Sequence, residues 1–166
     1  MIALELIEIK EAMSKLLLSD TFDAFLFIEG TITTFNTFSI DGYLKKDFFD
    51  SEEWDTQLAE SEFSIWKNMR DYCFSIIKGK KTPLDFKFVF RLSKENTSKL
   101  LKQEGLSLTA EEIQGLYLNI KFDGKKLECI TGTSLKTFTL DKSLDHAWDN
   151  MVQKFLKHHE IPVLSL

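Results

Sequence analysis

Hydrophobic residues change period along this chain, and the changes mark out its elements. Ile2, Leu4 and Leu6 alternate with their neighbours, the period-two pattern of a half-buried strand. Ile9, Ala12, Met13, Leu16 and Leu17 then fall at the spacing of one helical face. The same switch recurs later. Phe86, Phe88, Phe90 and Leu92 alternate as a strand, and a helix follows with Ser93 as its N-cap, Leu100 and Leu101 in its stripe and Gly105 as its stop. After the first helix, strands are expected near 24–29 and 31–40 around Glu29-Gly30, with Asp41-Gly42 as the next turn. After the second, Leu116, Leu118, Ile120 and Phe122 alternate with Tyr117, Asn119 and Lys121. Asp123-Gly124 then makes a hairpin turn, and strands near 126–131 and 135–140 complete the set. Two stronger helical stripes remain. One is Phe63, Ile65, Trp66, Met69, Tyr72, Cys73, Ile76 and Ile77, ending at Gly79 and Pro83; the other, started by Ser143, is Leu144, Ala147, Trp148, Met151, Val152, Phe155 and Leu156. Both read as core seams.

In order, these elements spell strand–helix–strands–helix twice. Three short matches run in the same order: Ser-Lys-Leu-Leu at 14–17 and 98–101, Thr-Phe-Ser-Ile-Asp at 37–41 against Thr-Phe-Thr-Leu-Asp at 137–141, and Ser61 with Trp66, Asn68 and Met69 against Ser143 with Trp148, Asn150 and Met151. The expectation is an α+β fold forming a single domain over 1–166, made of two pseudo-repeats, 1–82 and 83–166. Their strands build an antiparallel sheet with the helices on one side. Trp66 and Trp148 should then occupy equivalent core positions about a pseudo-twofold axis. The unshared parts are 43–61, with a helix start at Ser51-Glu52-Glu53-Trp54, then 78–83, and 106–114, where Thr109 and Glu112 make a capping box. Diverged loops on a repeated frame are where function is expected.

Composition sharpens this picture at a few points. Phe is the outlier, 15 residues against 7 Gly and 2 Pro, which calls for a large aromatic core and long regular elements. No apolar run approaches the roughly 20 residues that cross a bilayer, and Met1 to Lys15 carries Glu5, Glu8, Lys10 and Glu11, unlike a secretory signal. Cys73 and Cys129 lie inside apolar segments without metal-ligand spacing, so they read as buried free thiols of a cytoplasmic protein. The net charge of −5 argues against general nucleic-acid binding. Its distribution is uneven: 41–62 carries two lysines against eight acids, and 67–102 carries ten Lys and Arg against three acids.

Candidate chemistry is sparse. His158 and His159 are adjacent, so on a helix they diverge by roughly 100° and cannot chelate one ion together; they suit a helix C-terminus, which favours cations. His146 has only its sequence neighbour Asp145 to work with, and a pocket gathering one histidine with acids would be needed to revive catalysis. The acids Asp50, Glu52, Glu53 and Asp55 lack the glycine and terminal glutamate of a calcium loop. Thr31, Thr33, Thr37 and Ser39, with Thr131, Thr133, Thr137 and Thr139, are expected to line one sheet face. Lys78-Gly79-Lys80-Lys81-Thr82-Pro83 is the sharpest local feature, three cations around a glycine at a helix end, without the glycine-rich loop of a phosphate-binding helix start. No catalytic set, metal site or cofactor motif emerges, and an enzyme is not expected.

Ile32-Thr33-Thr34-Phe35-Asn36-Thr37-Phe38-Ser39-Ile40-Asp41-Gly42, with Ile77-Lys78-Gly79-Lys80 and Thr131-Gly132-Thr133-Ser134, resembles an uncharacterised bacterial domain-of-unknown-function family over nearly the whole chain. That resemblance implies no activity or site. The twofold layout is also similar to the TATA-binding-protein-like fold and, more loosely, to sliding-clamp domains, by analogy of architecture alone. The expected function is a non-catalytic binding or scaffold module. It would act through the uncovered sheet face or the 43–61 loop on a protein partner or a second copy of the chain, not on a membrane. The alternative is nucleic-acid or anion binding through Arg70, Lys78, Lys80, Lys81, Lys87 and Arg91, which requires those six to converge on one surface.

Overall fold

Seven strands, each paired antiparallel to its neighbours, form one sheet in the order β3-β2-β4-β5-β6-β1-β7. The computed structural model describes residues 1–58 and 61–166. Along the chain the elements are β1 (Ala3–Leu6), α1 (Ile9–Leu17), β2 (Leu26–Thr33), β3 (Thr37–Asp41), α2 (Ser51–Leu58) and α3 (Trp66–Ile77), then β4 (Asp85–Arg91), α4 (Lys94–Gln103), β5 (Ile113–Phe122), β6 (Leu127–Leu135), α5 (Ser143–His158) and β7 (Val163–Ser165). Single-turn 3₁₀ helices lie at Lys46–Phe48 and Ala110–Glu112.

Alternation sorts the two faces. Phe86, Phe88 and Phe90 of β4, Leu116, Leu118 and Ile120 of β5, Cys129 of β6 and Leu4 of β1 all point to the buried side. There they join the stripes of α1, α3, α4 and α5 in one continuous core. Its centre is aromatic. The Trp66 ring lies 4.9 Å from Phe90 and 5.1 Å from Phe88, and Phe22 and Phe25 of the α1–β2 loop meet Phe155 of α5 at 5.3 and 5.5 Å. Burying each such ring stabilises the fold by about 1.5–3 kcal/mol. Polar groups on this side are paired, as burial demands. The Trp66 indole N–H donates to the Leu16 carbonyl at 2.9 Å, and Trp148 donates to that of Tyr117 at 2.9 Å. Asp149, buried on α5, accepts from Thr131 at 2.5 Å and from the Met1 amine at 3.2 Å, and Thr133 donates to Asp145.

Several expectations hold. The fold is α+β with an antiparallel sheet and its helices on one side. Ser93 caps α4 by accepting from the Asn96 N–H, Gly105 sits past its end at φ 63°, and Thr109 with Glu112 closes a capping box. Others are corrected. Glu29-Gly30 is not a turn: it lies inside β2, and the hairpin turns at Thr34–Asn36. Gly30 serves packing, because a Cβ there would stand 2.8 Å from the Phe88 ring and 3.0 Å from that of Phe27. The stretch expected as two strands near 126–131 and 135–140 is one strand, β6, followed by a loop in which Phe138 and Leu140 are exposed. Tyr72 is exposed on α3 instead of joining its seam, and Phe63 and Ile65 precede that helix. The eight hydroxyls do not share a face. Thr31, Thr33, Thr37 and Ser39 lie on the uncovered side, Thr131 and Thr133 bond to α5, and Thr137 and Thr139 are in the loop.

The strand–helix–strand–strand–helix order does occur twice, but the strand pairing does not repeat with it. β4 pairs with β5 of its own half, whereas β1 leaves β2 and pairs with β6 and β7. Thr37–Asp41 is a strand while 137–141 is loop. Trp66 opens α3, whereas Trp148 sits in the second turn of α5.

Candidate functional site

Three connections meet at one end of the sheet: the β2–β3 tip at Thr34–Asn36, the α3–β4 loop at 78–84 and the β5–β6 tip at 123–126. Backbone contacts lock them together. The Leu84 N–H donates to the Thr33 carbonyl at 2.8 Å, and Gly124, at φ 96°, lies so close to Leu84 that a Cβ would stand 2.9 Å from its carbonyl oxygen. Asp123 organises its own tip by accepting from the N–H groups of Lys125 at 2.8 Å and Lys126 at 2.7 Å, which holds its carboxyl below the usual range.

Helix α3 ends at Ile77, and Gly79 at φ 140° turns the chain across the sheet end. The turn leaves a hollow of about 490 Å³ lined by Thr34, Phe35, Ile76, Lys78, Lys80 and Lys81, with Leu84 at its edge. Its lining combines apolar side chains with three lysines. Lys78, Lys80 and Lys81 are exposed, and none has an ion-pair partner among the described residues. Phe35 is 87% exposed, its ring edge-on to Phe38 at 5.9 Å. The Thr34 Oγ1 is buried without a hydrogen-bond partner, unlike every other buried side-chain polar atom among the described residues. Lysines at a helix C-terminus are favoured by its carbonyls. The same carbonyls do not account for an unpaired hydroxyl and a bare ring beside them.

The cationic character extends beyond the hollow. Residues 78–87 and 121–126 hold seven lysines against Asp85 and Asp123. Lys87 and Lys121 are cross-strand neighbours on the uncovered face. The acidic 43–62 stretch leaves and rejoins the sheet at Tyr43 and Phe63, at the opposite end.

The six basic residues singled out from the sequence fall in three places. Lys78, Lys80 and Lys81 rim the hollow, and Lys87 stands on the open face nearby. Arg70 is engaged on the helix side in a two-point ion pair with Asp23, at 2.9 and 3.0 Å. Arg91 lies at the far end of β4, its guanidinium 4.9 Å over the Phe63 ring. There it borders a smaller cleft of about 340 Å³, shared with Glu62, Lys94, Glu111 and Lys136, where cations and acids are mixed and Lys94 pairs with Glu111 at 3.2 Å. Phe35, Thr34, Lys121, Lys125 and Lys126 are absent from the sequence-derived set. A hairpin turn at Thr34–Asn36 would have exposed Phe35 as a tip residue. The Glu29-Gly30 turn hid it inside a strand.

The other candidates separate in space. One row across the open face reads Ser39, Thr31, Lys87, Lys121, Glu128 and Glu5, polar and mixed in sign; Val89 and Ile130 add only half-buried apolar surface in the next row. Of the 43–61 loop, residues 59 and 60 lie outside the described residues; elsewhere in it Phe48 is exposed. His158 and His159 end α5 with rings 5.0 Å apart, and burial against Phe155 pushes the His159 pKa down. Burial pushes both thiols, Cys73 and Cys129, up to about 12. No cluster of three metal-ligating side chains occurs among the described residues, and no helix among them is long and apolar enough to cross a membrane.

No curated protein and no solved structure matches the chain. A family model does match, over residues 15–163, and it takes in α3, the 78–84 loop and both hairpin tips. The chain therefore belongs to the family of unknown function DUF5721.

Proposed function

We propose that this protein is a non-catalytic binding module that holds a polyanion at the lysine-rich end of its sheet. The observation that carries the reading is the hollow rimmed by Lys78, Lys80 and Lys81, whose charges have no carboxylate partners among the described residues. Cations that neutralise no protein group are free to replace the counterions of a phosphate or sulfate chain. Lys87, Lys121 and Lys125 extend the same field across neighbouring strands and tips, while Lys126 is paired with Glu5 at 3.8 Å. The loop that carries the acids of 43–62 leaves and rejoins the sheet at its opposite end, so a chain of net charge −5 still presents one attractive end to an anion. The open sheet face is a weaker candidate for a protein partner, because its exposed rows are polar and mixed in sign instead of forming an apolar patch.

Retention on immobilised heparin in low salt tests the proposal. The wild-type chain is expected to bind and to elute as salt rises, and Lys80→Glu with Lys81→Glu is expected to abolish retention without altering the melting temperature, since both side chains are exposed. A chain that flows through at low salt, or a double variant retained like wild type, would sink it.

A further inference from the structure

We infer, on the basis of the polyanion reading, that the ligand is single-stranded nucleic acid and that one of its bases stacks on Phe35. Lysines alone would not distinguish one polyanion from another. The hollow adds two features that do. Phe35 stands at a hairpin tip, 87% exposed, and its edge-on contact with Phe38 leaves a ring face open. Every nucleobase offers a face to such a ring, and single-strand binders combine this stacking with a cationic groove. In a duplex the bases are already stacked on each other, and the ring would meet only backbone.

The second feature is shape. The space is concave, of about 490 Å³, with Ile76 and Ile77 among the residues that line it. That volume lies within the range of small-ligand pockets and suits a splayed-out base. Phosphates on either side of the stacked base then fall to Lys78, Lys80 and Lys81.

Anisotropy titrations on the full chain test this with four probes. They are a labelled oligothymidylate of roughly 12 nucleotides, within the usual range of single-strand site sizes, an abasic strand of the same length, a duplex of the same length, and phosphatidylserine vesicles. The thymidylate is expected to bind about tenfold more tightly than the abasic strand. Phe35→Ala should remove that tenfold preference while leaving abasic-strand binding unchanged. Phe35→Trp should restore it, with indole fluorescence quenched on binding. The ring is exposed, so equal melting temperatures for the three proteins verify that folding is intact. Equal binding of thymidylate and abasic strands, or a Phe35→Ala variant that keeps the preference, overturns base stacking but leaves the polyanion reading standing. Stronger binding to duplex or to vesicles also overturns the inference. No salt-sensitive binding to any probe removes both readings together.

Discussion

Gly42 and Gly132 differ sharply in the space around their Cα atoms. Gly42 looks like an ordinary turn residue after Asp41, but its hydrogen atom faces the Phe27 carbonyl. A Cβ there would lie 1.8 Å from that oxygen, and no side-chain rotation can relieve a clash with backbone. Gly132, inside β6, has nothing within 4 Å of the same construction. Gly42→Ala is expected to destabilise the protein by about 3 kcal/mol, in the upper range of overpacking costs. Gly132→Ala should be neutral or stabilising by about 0.5 kcal/mol. Urea unfolding midpoints of the two variants decide the contrast, and equal midpoints would contradict it. Nothing local in the sequence separates these glycines, because the oxygen that crowds Gly42 belongs to a residue 15 positions earlier. The same limit applies to Thr34, whose lack of a partner is a property of its surroundings.

Elements were legible where their ends carry chemistry. Ser93, Gly105 and the Thr109–Glu112 box announced their helix boundaries, because caps act over three or four residues of contiguous chain. Ser93→Ala should therefore cost about 1 kcal/mol, measured by chemical denaturation; no loss would mean that the 3.2 Å bond to the Asn96 N–H contributes nothing. α5 opens differently from expectation only in detail. Asp141, two residues ahead, accepts from both the N–H and the hydroxyl of Ser143 at 2.9 and 2.6 Å. Strand ends were less legible. In Thr-Thr-Phe-Asn-Thr-Phe only Asn36 is a turn former, its neighbours being as β-compatible as the strands around them, and a Gly at position 30 mimics a turn while making room for two rings. The hollow was half readable for the same reason. Its lysines are contiguous in sequence, and its aromatic and hydroxyl come from a hairpin tip that the pattern placed elsewhere.

Across the whole molecule, composition foretold the aromatic core and the hydrophobic periodicity foretold the sheet with its helices on one side, but neither foretold the order of the strands. Antiparallel neighbours are chosen by which buried faces meet, and alternation looks the same in every strand. One core cluster runs through both halves of the chain, holding Cys73 from the first and Cys129 from the second. Both thiols, raised to about 12, should resist alkylation at neutral pH in the folded protein. Pulsed iodoacetamide labelling through a urea titration is expected to modify both in a single transition that coincides with loss of circular dichroism. Labelling of Cys73 well before Cys129 would mean that the halves unfold separately. Charge, too, is a property of the whole: the segment balances were readable from the start, but the fold divides the basic 67–102 segment, with Lys78, Lys80 and Lys81 at one end of the sheet and Arg91 and Lys94 at the other.

The position of β1 bears on how the chain is made. Its hydrogen-bonding partners are residues 128–130 on one side and 163–165 on the other. A ribosome therefore releases the first strand long before either neighbour exists, an interval on the order of ten seconds at ordinary elongation rates. Throughout that time Leu4 and Leu6, and the apolar stripe of the helix behind them, have no sheet to enter. β2, β3 and β4 can already pair with one another as they emerge. Synthesis thus delivers the β3-β2-β4 edge of the sheet first and stitches in β1 only after β6, with β7 closing the far edge.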